Sequence, residues 1–416
     1  MTIPLDNLYH YIEGLFSEPV CVYLFHPHGS RNISNLIGLR PINRIEQNLD
    51  GVVLPQVVCN DQEPLNYDLY QNLHQTDTNF FGWKKHPCLS NIKSNISINI
   101  HDDVILMHSE KNSLDLELYE KNNYVGVHYW CHAFIARDWY RFAEHDKRLN
   151  LQCYPEKDFL VYCRDCTGSR EYRIKFQELL SDSDLTKDSQ TSIKKINGNY
   201  SIEDFTFNNK QLAPSKTDFL HKLDDNSFEA SCSADYNVDD FVHTKISVVL
   251  ETVFDGPKIH LTEKIFRPIA CGHPFILAAG PGSLDYIKSY GFKTFSPWID
   301  ESYDEETDSV SRLHKIVNAM QQFSNLSTTE KKTVYLQLKK IAAYNKQWFF
   351  SKEFTTIINN ELVNNINHAV EKVKKTRFKL FRSRIKNYDN KQQKKEKRTI
   401  VANYIKRLKK FNPPGK

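Results

Sequence analysis

No stretch of this 416-residue chain approaches the roughly 18 consecutive apolar residues that a membrane-spanning helix needs, so no transmembrane segment is expected. The opening residues, MTIPLDNLYHYIEGLF, show no basic lead followed by an apolar block, which argues against an export signal. Cysteine occurs nine times, an odd number without regular spacing. A disulfide framework is therefore not expected, and the thiols read as reduced, mostly core-packing groups of a cytoplasmic protein. One CxxC pair exists, Cys163 and Cys166, but no second pair accompanies it, which makes metal or redox duty the weaker reading. Internal repeats are absent, so a repeat array is not expected either. Metal-ligand patterns are weak. His128 and His132 are four apart but separated by a strand-to-helix break, and PWIDESYDEETD (297–308) reads more simply as a solvated acidic loop. No metal is expected.

What the chain does have is length and aromatic content, with 40% hydrophobic and 12% aromatic residues, enough for two domains with real cores. Its net charge of +4 conceals an asymmetry. Residues 372–416 hold 13 Lys and 5 Arg against Asp389 and Glu396, so this segment carries +16 and residues 1–371 carry −12. A basic tail on an acidic body fits contact with an anionic partner such as nucleic acid, a membrane surface or an acidic polymer; the plain alternative is a solvated tail that aids solubility.

The first part of the chain reads as short strands, PVCVYLF (19–25), GVVLPQVV (51–58), DVILMHS (103–109) and YVGVHYW (124–130), separated by polar or helix-like stretches. Apolar residues at three- and four-residue steps predict a helix over 131–149. KDFLVYCRD (157–165) opens a second unit as a strand, followed by a helix at 170–180, and residues 181–241 are polar and hard to assign. Alternation resumes with a strand at 246–254, a helix at 262–272, a strand at 274–280, a helix at 283–291 closed by Gly291, a short strand FKTF (292–295) and a helical region over about 309–375. The pattern predicts an α/β protein with parallel sheets in two domains, 1–150 and 151–371, followed by a basic tail, 372–416.

The most charged helix start is in KIHLTEKIFRPIACGHPFIL (258–277). Thr262 is a good N-cap, and Glu263, Lys264 and Arg267 follow it. Exposed N–H groups and the helix dipole favour phosphate at such an end, and Lys264 and Arg267 at three-residue spacing are expected to share a face. An ordinary capped helix with surface charges is the competing reading. A second basic set, Arg164, Arg170 and Arg173, follows the strand at 157–165 and surrounds Gly168.

The run ETVFDGPKIHLTEKIFRPIACGHPFILAAGPGSLDYIKSYGF resembles the C-terminal donor-binding region of the fucosyltransferase-like glycosyltransferases. The shared pattern is a strand with a Glu, Thr-Glu-Lys opening a helix, a small-residue turn, a Pro-led apolar strand and a Gly-containing loop, over roughly residues 245–300. The wider chain resembles glycosyltransferase-like proteins of bacteria and large viruses. The resemblance implies a GT-B fold, two Rossmann-like domains facing a cleft, and inverting, metal-independent transfer from a nucleotide-diphosphate sugar without any further cofactor. It implies that 1–150 is the acceptor-side domain and that 151–371 binds the nucleotide sugar. It further implies that Glu263 binds ribose hydroxyls, that Lys264 binds the diphosphate, that Glu251 matches the acidic strand-end position, and that an Arg follows the preceding strand, with Arg173 the best fit and Arg170 and Arg164 its rivals. His260 stands where a Tyr is frequent, so no fucosyl donor is inferred.

Such transfer needs a base from the first domain. Glu63 is preferred, with Asp61 beside it, because both follow the strand at 51–58; His108, Glu110 and, in HPHGSRN (26–32), His26, His28 and Arg31 are acceptor-side candidates. Each also reads as an ordinary loop residue. Segments 372–386 and 399–411 pattern as basic amphipathic helices, suited to an anionic membrane face or a phosphate backbone. The expected acceptor is a glycan, with peripheral contact at the inner membrane face. Hydroxylated bases of DNA are the alternative acceptor, and a non-catalytic nucleotide- or nucleic-acid-binding protein is the alternative of another class.

Overall fold

Short runs of β-branched and aromatic residues, interrupted by polar segments, form two parallel sheets of four strands each in this computed structural model. Residues 15, 21–24, 56–60, 104–121, 125–150, 154–163, 165–193, 205–215 and 235–386 are described. The first sheet runs in the order β1 (Cys21–Leu24), β2 (Gln56–Asn60), β3 (Val104–His108), β4 (Val125–His128). The second has the order β6 (Ser189–Ile193), β5 (Lys157–Cys163), β7 (Thr244–Leu250), β8 (Phe275–Ala278). Every pairing in both sheets is parallel. The central strand β7 and the last strand β8 are both buried along their whole length, as strands covered on both faces of a parallel sheet must be. The α/β class with parallel sheets is therefore as the sequence predicts.

The helices are α1 (Leu114–Lys121), α2 (Cys131–Trp139), α3 (Tyr172–Asp182), α4 (Val238–His243), α5 (Glu263–Cys271), α6 (Ser283–Ser289), α7 (Ser309–Ser324), α8 (Thr328–Phe350) and α9 (Lys352–Lys386). The helical region expected over about 309–375 is made of the three helices α7, α8 and α9. Ser327 starts α8 with a reciprocal capping box to Glu330, and Ser351 separates α8 from α9. α9 returns to pack on β3 and β4 of the first sheet, where Asn365 donates to the His128 carbonyl at 2.8 Å. Among the described residues no helix is long and apolar enough to cross a membrane.

Three expectations are corrected. The helix expected over 131–149 stops at Trp139 and continues as two 3-10 turns, Arg141–Glu144 and Lys147–Asn150, which leaves Phe142 68% exposed. FKTF forms no strand and joins no sheet. The Lys293 N–H donates to the Asn345 side chain of α8 and the Lys293 carbonyl accepts from it, both at 2.8 Å, so a helix side chain takes the place of a neighbouring strand. The acidic loop at 297–308 is not simply solvated. Asp304 is buried and accepts from the Leu284 N–H at the start of α6, and burial raises its pKa to about 6.

The two sheets meet at their strand exits. Lys111, three residues past β3, pairs with Ile259 through two backbone hydrogen bonds of 2.9 and 3.0 Å. Trp130, two residues past β4, donates from its indole to the Leu261 carbonyl at 2.9 Å and packs against Phe266, Tyr286 and Tyr290. Gly280, past the end of β8, allows a close approach, because a Cβ there would lie 2.3 Å from the Lys258 carbonyl oxygen. The loop from β7 to α5 is thereby held between the two halves.

Candidate active site

α5 begins where its sequence says it should. Thr262 is extended and its hydroxyl accepts from the Lys264 N–H, while Gly272 closes the helix in the left-handed conformation at φ 64°. Pro268 sits in the second half of the helix, whose last turn is closed by the His273 N–H donating to the Pro268 carbonyl at 2.9 Å.

Glu251 lies immediately past β7 and is fully buried. Its carboxylate accepts from the Thr262 N–H at 3.0 Å, the Thr262 hydroxyl at 2.7 Å and the Thr252 N–H at 3.3 Å. Burial raises its pKa, against the opposing pull of the Lys264 ammonium and of the Thr262 hydrogen bonds. Lys264 donates to the Thr252 hydroxyl at 3.2 Å, the Thr262 hydroxyl at 3.0 Å and Glu263 Oε1 at 3.1 Å, with its side chain 30% exposed. Glu263 is held from both sides, by Lys264 on Oε1 and by His132 Nδ1, 3.5 Å from Oε2. Burial acts to raise the Glu263 pKa, but Lys264 and then His132 outweigh it and hold the carboxyl well below its ordinary range. The helix start therefore presents a fixed carboxylate and a partly open ammonium.

The wall opposite comes from the first sheet. Ser109 at the β3 exit is 3.1 Å from His260 Nδ1, and the His260 ring meets the His132 ring edge-on at 5.4 Å. Nε2 of both imidazoles is buried without a hydrogen-bond partner. Burial lowers the pKa of His132 to about 4 and that of His260 well below its usual value, so both are neutral near pH 7. His128 belongs to a separate cluster. Its Nδ1 is 3.5 Å from Glu361 of α9 and its Nε2 3.2 Å from the Tyr286 hydroxyl, while Tyr290 donates to Glu361 at 2.6 Å. The two histidines weighed as a metal pair thus serve different clusters, and among the described residues no group of three or more His, Cys, Asp or Glu is placed to hold a metal.

The sequence candidates fall into three sets. Glu251, His260, Glu263 and Lys264 are brought together. Arg267 is directed elsewhere, stacked over the Tyr162 ring at 5.2 Å with Nε 3.4 Å from the Tyr140 hydroxyl. Arg173 is buried and donates to the carbonyls of Asp165, Leu250 and Glu251 at 2.6, 2.6 and 3.0 Å, which ties the β5 exit to the β7 exit. Arg170 pairs with Asp165 at 3.5 Å. His108 is buried with neither ring nitrogen hydrogen-bonded and its pKa lowered to about 3 by burial, and Glu110 is buried 3.5 Å from Lys258. Asp61, Glu63, His26, His28, Arg31, Arg164 and the segment 399–411 lie outside the described residues. No role for Ser109, Thr252 or Glu361 is legible in the sequence, and His132 stands there only as a weak metal partner of His128, since nothing local marks a helix-start His or a loop Ser as facing residues 131 and 151 positions further along the chain. Comparison with protein-family models, with curated proteins and with solved structures finds no match to this chain.

Proposed function

We propose that the chain is a glycosyltransferase that moves a sugar from a nucleotide-diphosphate sugar to an acceptor hydroxyl on a glycan. The observation that carries this reading is the start of α5, where Glu263 and Lys264 stand over Glu251 at the β7 exit, opposite the exits of β3 and β4. Ligands of open parallel sheets bind beyond the carboxyl ends of the strands, and two such sets of ends face each other across this junction. That arrangement, together with the sequence resemblance, supports a GT-B-like pair of Rossmann-like units.

In this reading Lys264 exchanges its hydroxyl and carboxylate partners for diphosphate oxygens, assisted by the positive end of α5. Glu263, ionised and oriented by His132, accepts from the ribose hydroxyls. As the bond from sugar to phosphate breaks, charge grows on the departing diphosphate, and Lys264 stabilises it more strongly than in the ground state. The acceptor hydroxyl gives its proton to a carboxylate of the first unit, for which Glu63, with Asp61 as its rival, is the candidate by its place in the sequence. The basic segment 372–416 draws the enzyme to an anionic acceptor or membrane.

The test is a thermal-shift and turnover screen of nucleotide sugars on the full chain. A donor at 100 times its dissociation constant adds about 2.7 kcal/mol of stability, and the same donor should be consumed when a glycan acceptor is present. Consumption only with hydroxymethylated DNA assigns the other acceptor. Absence of any shift and any turnover overturns the reading.

A further inference from the structure

β5 ends at Cys163, and Cys166 follows before the turn that leads into α3. Both thiols are free and buried, and their sulfurs are 3.4 Å apart. The side-chain amide of Gln177, on α3, donates to both, at 3.6 Å to Cys163 and 3.7 Å to Cys166. Cysteines that merely fill a core need no shared donor. The exposed residues Thr167 to Ser169 follow the pair directly in the chain. A hydrogen bond from Cys166, opposed by burial and aided by the Arg173 cation, lowers the pKa of Cys163, while Cys166 is pushed up. One sulfur is thereby set up as a nucleophile and the other as its proton-bearing partner.

We propose that Cys163 and Cys166 are a reversible dithiol–disulfide pair, oxidised by a small hydroperoxide. The Cys163 thiolate attacks the peroxide oxygen, forming a sulfenic acid and releasing hydroxide. The Cys166 sulfur then displaces the sulfenic oxygen as water, closing the disulfide. Overall, two thiols and one hydrogen peroxide give one disulfide and two waters. A disulfide has its sulfurs about 2.0 Å apart, so closure draws this pair together by about 1.4 Å. Asp165, between the cysteines, has its carbonyl held by Arg173, which also holds the Leu250 and Glu251 carbonyls. Oxidation is transmitted along this route to the carboxylate that caps α5, a consequence that rests on reading α5 as the donor site; the thiol chemistry does not.

The full chain, reduced and desalted, is treated with stoichiometric hydrogen peroxide, unfolded, alkylated and analysed by peptide mass spectrometry. The Cys163–Cys166 peptide should lose two hydrogens and escape alkylation, with oxidation roughly tenfold ahead of the equally buried Cys131 and Cys271, and dithiothreitol should restore it. In Cys166→Ser, Cys163 should instead be trapped by dimedone as its sulfenic acid. Alkylation of the pair to the same extent as Cys131 and Cys271 overturns the proposal, as does direct passage to sulfinic acid without a disulfide. Affinities for guanosine and uridine diphosphate are then measured on both forms. A change of about fivefold or more supports the route to α5 and equal affinities overturn it. Binding by neither form overturns the donor-site reading and leaves the thiol result standing.

Discussion

Glu251 and Thr262, eleven residues apart, are joined by two hydrogen bonds in which one buried carboxylate receives both the backbone N–H and the hydroxyl of the α5 N-cap, at 3.0 and 2.7 Å. The strand exit thus fixes the helix start directly. Glu251→Ala leaves both Thr262 donors without their partner and should cost about 2–4 kcal/mol, read as a lower urea midpoint at constant m. Glu251→Gln keeps one acceptor oxygen and should lose less. Equal stability of Glu251→Ala and wild type would show that this tie does not hold the helix start.

Arg173 is a tie between strand ends. Arg173→Met removes donors from three carbonyls and should destabilise by about 3 kcal/mol in urea unfolding. A residue whose main duty was to meet phosphate would leave the stability of the ligand-free protein nearly unchanged on substitution.

Acid should weaken the protein through its buried histidines. Their folded-state pKa values are depressed by burial, to about 4 for His132 and about 3 for His108, so the unfolded chain binds protons that the folded chain refuses. Stability is therefore full above the ordinary value of about 6.5 and falls as pH drops towards 4, by on the order of 1 kcal/mol per pH unit for each histidine. Glu263, also depressed, adds loss of the same sign at lower pH. His132→Gln should flatten the pH dependence by one histidine's share in urea unfolding between about pH 7 and 4.5. An unchanged slope would contradict the assignment.

β5, β7, β8 and α5 are legible in the sequence because their signals are local, whereas β6, the polar run Ser189–Ile193 within 181–241, carries no such signal. Thr262 and Gly272 bracket α5, and apolar runs mark β7 and β8. Local signals also misled. FKTF has the composition of a strand, yet its partner is Asn345, fifty-two residues away on a helix. Spacing placed Lys264 and Arg267 on one face, but Tyr140 and Tyr162 draw Arg267 into the core. The return of α9 to the first sheet, and with it the Glu361–His128 contact, depends on packing between distant segments that no periodicity encodes.

In the proposed function the α5 start binds a diphosphate through Lys264. Isothermal titration of guanosine and uridine diphosphate into wild type and Lys264→Ala is the decisive measurement. A charge-assisted contact of about 1.5–3 kcal/mol corresponds to roughly ten- to hundredfold in affinity. Wild type should bind one of the two, and Lys264→Ala should bind it at least about tenfold more weakly with a similar melting temperature. Equal affinity of the two proteins, or no binding of either nucleotide by wild type, would contradict that role of Lys264.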